Sequence, residues 1–201
     1  MRVIGGKFKG RKLKSFKGRA IRPTSDMVRE AVFSILGSVQ GFEFTGAKAL
    51  DLFAGTGAMG IEAISRGAKS AVFVDDSKES TALISKNLEA CGIEDSATIV
   101  KKDALSAISH FSRHGEKFDI VFIDPPYGGT PLTLILSPDG RGKGEGGAGA
   151  VTIAGILNDK AVLVAETSKR TPLKEAPSGL QTLVEKKYGD TLIYIFSLIK
   201  T

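Results

Sequence analysis

Four consecutive residues, Asp124-Pro125-Pro126-Tyr127, have the chemistry needed to hold a planar group that carries an amine. The two prolines fix the backbone and remove two N–H donors, so the carbonyl oxygens of a stiff corner are left as acceptors. Asp124 adds a carboxylate acceptor, and Tyr127 adds a flat ring on which a base can stack. Acceptors that take both hydrogens of an –NH2 group free the nitrogen lone pair for attack on an electrophile held in line. We therefore predict that these four residues catalyse group transfer to an exocyclic amine.

A glycine-rich turn follows the apolar run of residues 47–53. Its glycines, Gly55, Gly57 and Gly60, allow a sharp turn and a close approach of the backbone to a ligand. Their spacing matches the dinucleotide-binding fingerprint, so an NAD site is one interpretation. Asp51 favours another, because a carboxylate beside the turn would repel a pyrophosphate but attract the ammonium and sulfonium of S-adenosylmethionine. The sequence therefore favours S-adenosylmethionine as the cofactor.

Carboxyl groups also follow the next two apolar runs. Asp75 follows residues 71–74, where its carboxylate could accept from the two hydroxyls of a ribose, and the adjacent Asp76 competes for that role. Asp103 follows residues 97–100 and could accept from an adenine amine. Because ligands of open parallel sheets bind at the carboxyl ends of the strands, this recurrence supports a nucleotide-bearing site.

Apolar runs and helical periodicity alternate along most of the chain, which predicts an α/β fold with a doubly wound parallel sheet and right-handed crossovers. Near the end, Gly189-Asp190 predicts a hairpin turn between two antiparallel strands. The predicted strands are 47–53, 71–74, 97–100, 118–123, 161–165, 182–188 and 191–198. The predicted helices are one that begins at Thr24 or Ser25 and ends before Gly37, followed by 58–66, 77–91, 104–111 and 151–157.

The first 22 residues form a basic arm with nine Lys or Arg and no acid, whereas the whole chain has a net charge of +6. Apolar residues interrupt these charges, and Gly5-Gly6 and Gly10 are turn points, so we predict an ordered β-hairpin. Such an arm suits a polyanion, because Lys and Arg displace the counterions of phosphates. We predict a basic arm at 1–22 and a methyltransferase domain at 23–201, in which the glycine-rich residues 137–150 form a flexible insert.

Composition excludes several classes of protein. No apolar run reaches the roughly 20 residues of a membrane helix, and the N-terminus lacks the apolar core of a signal peptide. Because Cys91 is the only cysteine, the chain forms neither an internal disulfide nor a cysteine-based zinc site. We therefore expect a cytoplasmic protein without a metal or a membrane partner.

In these motifs the sequence resembles the RsmD-type methyltransferases, which modify the N2 amine of a guanine in ribosomal RNA. The likeness covers nearly the whole chain except residues 128–150, where the glycine-rich insert departs from the family pattern. The Asp-Pro-Pro-Tyr tetrapeptide is shared by many amino-methylating enzymes. The two N-terminal blocks, which contain Ile-Gly-Gly and Arg-Pro-Thr, occur in fewer families and point to this one. The matching blocks are Arg2-Val3-Ile4-Gly5-Gly6 with Gly10-Arg11-Lys12-Leu13, Arg22-Pro23-Thr24-Ser25-Asp26-Met27-Val28-Arg29-Glu30, Asp51-Leu52-Phe53-Ala54-Gly55-Thr56-Gly57 and Asp124-Pro125-Pro126-Tyr127.

The resemblance implies a class I S-adenosylmethionine-dependent methyltransferase fold, a Rossmann-like sheet of seven strands in the order 3-2-1-4-5-7-6 with one strand reversed. It implies a guanine of bacterial small-subunit rRNA as substrate, presented as rRNA or in an assembling 30S particle, and a role in rRNA processing and ribosome biogenesis. We expect a monomer. By position, Asp124, Pro125, Pro126 and Tyr127 would hold the guanine. The cofactor contacts would be Asp51, Phe53, Gly55, Thr56, Gly57, Asp75, Asp103 and Ala104. The RNA contacts would be Lys7, Lys9, Arg11, Lys12, Arg22, Thr24 and Arg29.

Three alternatives remain open from the sequence. An adenine-N6 methyltransferase acting on DNA or RNA would use the same tetrapeptide, because adenine also carries an –NH2 group. An NAD-dependent oxidoreductase accounts for the glycine spacing but leaves the tetrapeptide and the basic arm unexplained. A non-catalytic RNA-binding protein on the same fold would require the glycine-rich insert to block the pocket.

Overall fold

A seven-stranded sheet lies at the centre of the molecule. The structure is a computed structural model, and it describes residues 1–16, 26–126, 132–136 and 153–199. The strands are β1 (Lys48–Leu52), β2 (Ser70–Val74), β3 (Ala97–Val100), β4 (Phe118–Ile123), β5 (Leu157–Ser168), β6 (Leu180–Tyr188) and β7 (Thr191–Leu198). The helices are α1 (Asp26–Leu36), α2 (Ala58–Ser65), α3 (Lys78–Cys91), α4 (Ala104–Arg113) and α5 (Leu132–Leu136), with 3-10 turns at Glu94–Ser96 and Ile153–Ile156.

The strand order is β3-β2-β1-β4-β5-β7-β6, which confirms the predicted fold class. The first five strands pair in parallel, whereas β7 runs antiparallel to both β5 and β6. The predicted hairpin between β6 and β7 is also confirmed, because Tyr188 pairs with Thr191 across Gly189-Asp190. Gly189 has a φ of 60°, a backbone conformation that glycine adopts at low cost in such a turn.

The sheet separates two apolar layers, because successive side chains of a strand point to opposite faces. In β1, Ala49 packs into the layer that contains Phe33 of α1 and Ile84 of α3. Its neighbours Leu50 and Leu52 pack into the other layer, with residues of α4 and α5. The alternation places Asp51 on the α2 and α3 side of the sheet, so the carboxylate lies between a buried strand and the helix that follows the glycine turn.

The crossover before β5 differs from the prediction. The expected helix at 151–157 is a single 3-10 turn within the described residues, and β5 begins at Leu157, four residues before the predicted start. Two features explain this: Gly155 weakens a helix, and Leu157 pairs with Phe118 of β4. The predicted helix start at Thr24 or Ser25 and the insert at 137–150 lie outside the described residues.

Along the stretches 1–16, 26–126, 132–136 and 153–199, every helix is too short or too polar to cross a membrane.

Candidate active site

The register of the parallel strands brings the predicted site residues to one edge of the sheet. Leu52, the last residue of β1, pairs with Val74 on one side and with Ile123 on the other. Val74 in turn pairs with Val100 of β3. Four segments therefore leave the sheet at the same level: the glycine turn, Asp75, the segment before α4 and the Asp-Pro-Pro corner. Because neighbouring strands lie about 4.8 Å apart, one bound ligand can reach all of them.

The glycine turn has an unusual backbone. Phe53 has a φ of 61°, and among the described residues it is the one non-glycine residue with a positive φ. This left-handed conformation costs roughly 1–2 kcal/mol for a residue with a Cβ. Gly55 and Gly57 follow with φ values of 54° and 77°. The resulting loop reverses the chain within a few residues at the carboxyl edge of the sheet.

Gly60 is required for packing rather than for conformation. A Cβ at this position would lie 2.4 Å from a ring carbon of Phe73, which is fully buried in β2. The glycine thus allows α2 to pack closely against the sheet, as expected for the third glycine of this motif. Gly57 is the N-cap of α2 and has no side chain to cap the helix, and the Gly60 N–H in the first turn donates instead to Asp51. The dipole of α2 favours negative charge at this end of the helix.

Asp51 lies under the turn, as the sequence predicts, with 4% of its surface exposed. Its Oδ2 accepts a hydrogen bond of 3.0 Å from the Gly60 N–H. Burial, opposed by the Gly60 hydrogen bond and assisted by the nearby Asp75 carboxylate, raises the pKa of Asp51 to about 7. A carboxyl group that titrates near neutral pH beside an expected cation-binding site is a functional candidate.

Asp75 holds the glycine turn in place. Its Oδ2 accepts from the Gly55 N–H at 2.9 Å, and its Oδ1 accepts from the Ser77 N–H at 3.0 Å. Each carboxylate oxygen has two lone pairs, so one on each remains for a ligand hydroxyl. Asp75 is half-buried, whereas Asp76 is exposed. The backbone contacts therefore favour Asp75 over Asp76 as the group that faces a ribose.

Asp103 is the N-cap of α4, and its Oδ1 accepts from the Ser106 N–H at 2.9 Å. This hydrogen bond lowers the pKa of the Asp103 carboxyl, although partial desolvation opposes it. The side chain is exposed, so Oδ2 can still accept from a ligand amine. Ala104 opens the helix with a buried side chain, which leaves its backbone N–H as the group that could contact a base.

The corner formed by Asp124-Pro125-Pro126, which we call the acceptor corner, follows β4 directly. Asp124 and Pro126 are exposed and Pro125 is half-buried, whereas Tyr127 lies outside the described residues. Ile123 pairs with Leu52, so Asp124 leaves the sheet beside Phe53 and the glycine turn. The corner can therefore present its carboxylate and backbone carbonyls to a group that is held next to the turn.

The basic arm is docked on the body of the protein. Val3 and Leu13 are buried in the α2 and α3 layer, and Arg2 and Lys12 form an antiparallel bridge. A hairpin therefore forms, although it is held by a single bridge and short turns rather than by extended strands. Gly6 touches α2 so closely that a Cβ there would lie 1.8 Å from the Ser65 carbonyl oxygen.

Three polar side chains of the body bind the arm's backbone. The Glu62 carboxylate, which is fully buried, accepts from the N–H groups of Ile4 and Gly5, each at 2.8 Å. Ser65 donates through Oγ to the Gly5 carbonyl, and Asn87 bonds to the backbone of the arm further on. The sequence prediction did not include these docking residues. A signal was present, because Glu62 and Asn87 are polar positions on otherwise apolar helix faces.

The predicted RNA contacts divide into four groups, of which Arg29 is the last. Lys7, Lys9 and Lys12 are exposed. Arg11 is exposed as well, but its Nη1 donates to the Ala90 carbonyl at 2.8 Å, so part of its guanidinium is engaged with α3. Arg22 and Thr24 lie outside the described residues.

Arg29, the remaining predicted RNA contact, is buried in the fold and does not lie on the surface. Its side chain is 1% exposed, donates to the Arg2 carbonyl and pairs with Asp26 at 3.0 Å. Desolvation lowers the pKa of Arg29, while the carboxylates of Asp26 and Glu62 oppose that effect. A guanidinium buried in this way presents no surface to an RNA, so Arg29 anchors the start of the arm and is omitted from the interface.

No group of three His, Cys, Asp or Glu side chains with the geometry of a metal site occurs in the part of the chain that the structure describes.

The comparisons with known proteins agree over nearly the whole chain. The family model described as Conserved hypothetical protein 95 matches residues 1–197. A Bacillus subtilis protein named provisionally as an rRNA methyltransferase is 32% identical over 98% of both chains. The Escherichia coli protein named ribosomal RNA small subunit methyltransferase D is 31% identical over 98% of this chain and 89% of its own. A solved Escherichia coli structure, named provisionally as a methyltransferase, has a TM-score of 0.77 at 30% identity and covers 98% of this chain and 97% of that one.

Proposed function

Since the chain belongs to the RsmD-type methyltransferase family, we propose that it methylates the N2 amine of a guanine in bacterial small-subunit ribosomal RNA. S-adenosylmethionine is the methyl donor of this enzyme class. The NAD-dependent and non-catalytic alternatives are not retained, because the relatives that match the whole chain are named as rRNA methyltransferases.

One observation carries the proposal: an acceptor corner leaves the sheet directly beside the glycine turn. Ile123 and Leu52 are register partners, so Asp124 and Phe53 are the next residues on adjacent strands. A base amine held at the corner would therefore lie beside a donor held by the turn. Proximity of this kind supplies a large part of the acceleration in group transfer.

The residues present fit S-adenosylmethionine chemically. The positive dipole end of α2 suits the carboxylate of the amino acid part, and the Asp51 carboxylate suits the ammonium. The remaining lone pairs of Asp75 suit the ribose hydroxyls, and Asp103 with the Ala104 N–H suits the adenine edge. Phe53, Gly55, Thr56 and Gly57 complete the predicted cofactor contacts through the backbone of the turn.

We assign the following roles to the chain's own residues. When bound, S-adenosylmethionine supplies a methyl group on a cationic sulfur, which is a strong electrophile. Asp124 and the carbonyl oxygens of the Pro125-Pro126 corner accept from the two amine hydrogens and so keep the lone pair out of the ring system. Tyr127 stacks on the base. After transfer the nitrogen loses one proton, to Asp124 or to water, and the amine becomes neutral again.

The experiment that tests the proposal supplies labelled methyl donor with 30S particles, naked rRNA and duplex DNA in parallel. We expect label in small-subunit RNA, and mass spectrometry of the digested RNA should identify N2-methylguanosine. N6-methyladenosine as the product, or label in DNA alone, would support the adenine-N6 alternative instead. A stronger signal with particles than with naked rRNA would show that the assembling particle is the substrate.

We propose that residues 1–22 form the RNA-binding arm of a methyltransferase domain at 23–201 that acts as a cytoplasmic monomer. Exposed Lys7, Lys9 and Lys12 on the docked hairpin support this assignment. The body of the protein is mildly acidic by comparison, because the arm's nine positive charges exceed the net charge of +6. The arm is therefore the part of the described surface best suited to phosphates.

We expect the double charge reversal Lys9→Glu/Lys12→Glu to weaken rRNA binding and to flatten its salt dependence. Each lost phosphate contact lowers the slope of log affinity against log salt by roughly 0.7–0.9, so the slope should fall by about 1–2. Arg11 is left unchanged, because it also contacts α3. Binding is measured by filter retention or fluorescence anisotropy over a range of salt concentrations.

The matched control is Lys186→Glu/Lys187→Glu, which makes the same change in charge on exposed positions of β6. That strand is at the opposite edge of the sheet from β3, away from the helices that hold the arm. Equal losses of slope in the two double variants would mean that net charge, and not the arm, determines RNA binding.

A further inference from the structure

Asn87 connects the basic arm to the cofactor turn. Its Oδ1 accepts from the Lys14 N–H at 2.7 Å, and its Nδ2 donates to the Lys14 carbonyl at 3.1 Å. The same Nδ2 donates to the Thr56 carbonyl at 2.9 Å. One side chain of α3 therefore binds both backbone groups of an arm residue and, at the same time, the middle residue of the glycine turn.

The burial of Asn87 makes these contacts interdependent. The side chain is 0% exposed and lies on the face of α3 that also buries Ile84, Leu88 and Cys91. A buried amide that loses its partners has no water to replace them, and the loss is costly. If Lys14 moves away, Thr56 is the one partner that the amide keeps among the described residues, and the amide can shift. The positions of the arm and of the turn thus depend on the same group.

A second contact joins the same two segments. Thr56 Oγ1 lies 3.7 Å from the Met1 sulfur, at the other end of the hairpin. Met1 also accepts through its carbonyl from the Leu13 N–H, next to Lys14. Through Thr56 the glycine turn is therefore in contact with both ends of the described hairpin, whereas Glu62 and Ser65 hold the arm to α2.

We propose that Asn87 is a positioning residue that couples RNA binding at the arm to cofactor binding at the glycine turn. The inference rests on the proposed function, because it takes RNA as the ligand of the arm. RNA bound to the arm restrains Lys14, Lys14 restrains the Asn87 amide, and the amide restrains the Thr56 carbonyl in the conformation that receives the cofactor. Because coupling between two binding sites is reciprocal, bound cofactor tightens RNA binding by the same factor.

The test is a thermodynamic cycle on the full-length protein. The dissociation constant of S-adenosylhomocysteine is measured by calorimetry with and without a saturating amount of small-subunit rRNA transcribed in vitro. For the wild-type protein we expect RNA to tighten S-adenosylhomocysteine binding at least about fivefold, the lower end of common coupling factors. For Asn87→Ala we expect that factor to fall to near 1, and binding without RNA to weaken by about tenfold.

Asn158→Ala is the matched control. Its Nδ2 donates to Asp119 at 2.6 Å near the amino ends of β4 and β5, so it removes a comparable amide far from the turn. This variant should keep the wild-type coupling factor. If Asn87→Ala does not fold, Asn87→Asp gives the same test, because it retains the acceptor for the Lys14 N–H and loses the donor to the Lys14 and Thr56 carbonyls.

The outcomes separate the inference from the proposed function. If RNA and S-adenosylhomocysteine both bind the wild-type protein but do not affect each other, or if the Asn87 variants keep the full coupling factor, the inference is wrong and the proposed function stands. If the wild-type protein binds S-adenosylhomocysteine but neither binds nor methylates small-subunit rRNA, whether naked or in 30S particles, the proposed function fails and the inference fails with it. Loss of coupling in the Asn87 variants alone supports the inference.

Discussion

The Asp124→Ala variant should lose nearly all methyl transfer while it binds S-adenosylhomocysteine almost as tightly as the wild-type protein. The carboxylate is proposed to accept from the substrate amine, and a missing acceptor of this kind typically lowers kcat by about 10²–10³. The cofactor is expected to contact the glycine turn and the ends of β2 and β3, so its affinity should change by less than about twofold. Single-turnover transfer of labelled methyl to rRNA, together with calorimetry, measures both quantities.

Two further variants make this result specific. Asp124→Asn keeps one acceptor oxygen but replaces the other with a donor, so its rate should lie between those of the wild-type protein and Asp124→Ala. Asp95→Ala removes an exposed carboxylate from the 3-10 turn before β3, at the opposite end of the strands, and should leave the rate unchanged. Near-normal turnover in Asp124→Ala would show that the carboxylate has no role in holding the amine.

The Asp51→Asn variant should bind S-adenosylhomocysteine on the order of tenfold to a hundredfold more weakly at pH 8, because it loses a charge-assisted contact with the ligand ammonium. Asparagine still offers an oxygen to the Gly60 N–H, so the turn itself should persist. In the wild-type protein the affinity should rise about tenfold between pH 6 and pH 8, because the carboxyl must lose its proton to attract the cation and its pKa is about 7. Calorimetry at both pH values measures these effects.

The stability of Asp51→Asn without ligand should rise at pH 8, although its affinity for S-adenosylhomocysteine falls. Burial raises the pKa of Asp51 in the folded protein from 3.8 to about 7, so the folded state holds a proton that the unfolded state releases. The stabilisation from this proton is complete below about pH 4 and is lost as the pH rises through about 7. Without ligand at pH 8, Asp51→Asn should therefore be more stable than the wild-type protein, by up to a few kcal/mol.

Urea unfolding at pH 5 and pH 8 tests the stability prediction. A wild-type protein whose free energy of unfolding and ligand affinity are both independent of pH over this range would show that Asp51 is ionised throughout. A variant that is more stable yet binds more weakly cannot be explained by misfolding. This combination would identify the buried carboxylate as a group kept for binding at a cost in stability.

The elements of the central sheet could be predicted from the sequence because their signals are local. The strand limits at 97–100, 118–123 and 191–198 agree with those observed, since each is an apolar run bounded by polar or turn residues. Ser77 caps α3, and Gly92 ends it with a φ of 64°. The short α5 and the single 3-10 turn at Ile153–Ile156 were not predicted, because a stretch of four or five apolar residues does not distinguish a helical turn from a strand.

The chemistry of the site was also visible in the sequence, but the partners of its side chains were not. The glycine turn, Asp51 and Asp124 follow predicted strands, and parallel strands bring such residues to one edge of the sheet. Asp75 accepts from two backbone N–H groups, and Asp103 caps a helix with one oxygen. These contacts depend on the conformation of the loops, which the sequence motifs do not specify.

The sequence by itself determined the order of the elements, the family and the residue types of the candidate site, because these depend on motifs and on spacings within one element. Only the tertiary structure decided that the arm is docked through Glu62 and Asn87 and that Arg29 is buried. The docking contacts join residues 58 and 73 positions apart, whereas Arg29 meets the arm at a separation of 27. Helical and strand periodicities specify which face of an element is buried, but they do not specify which distant segment will cover it.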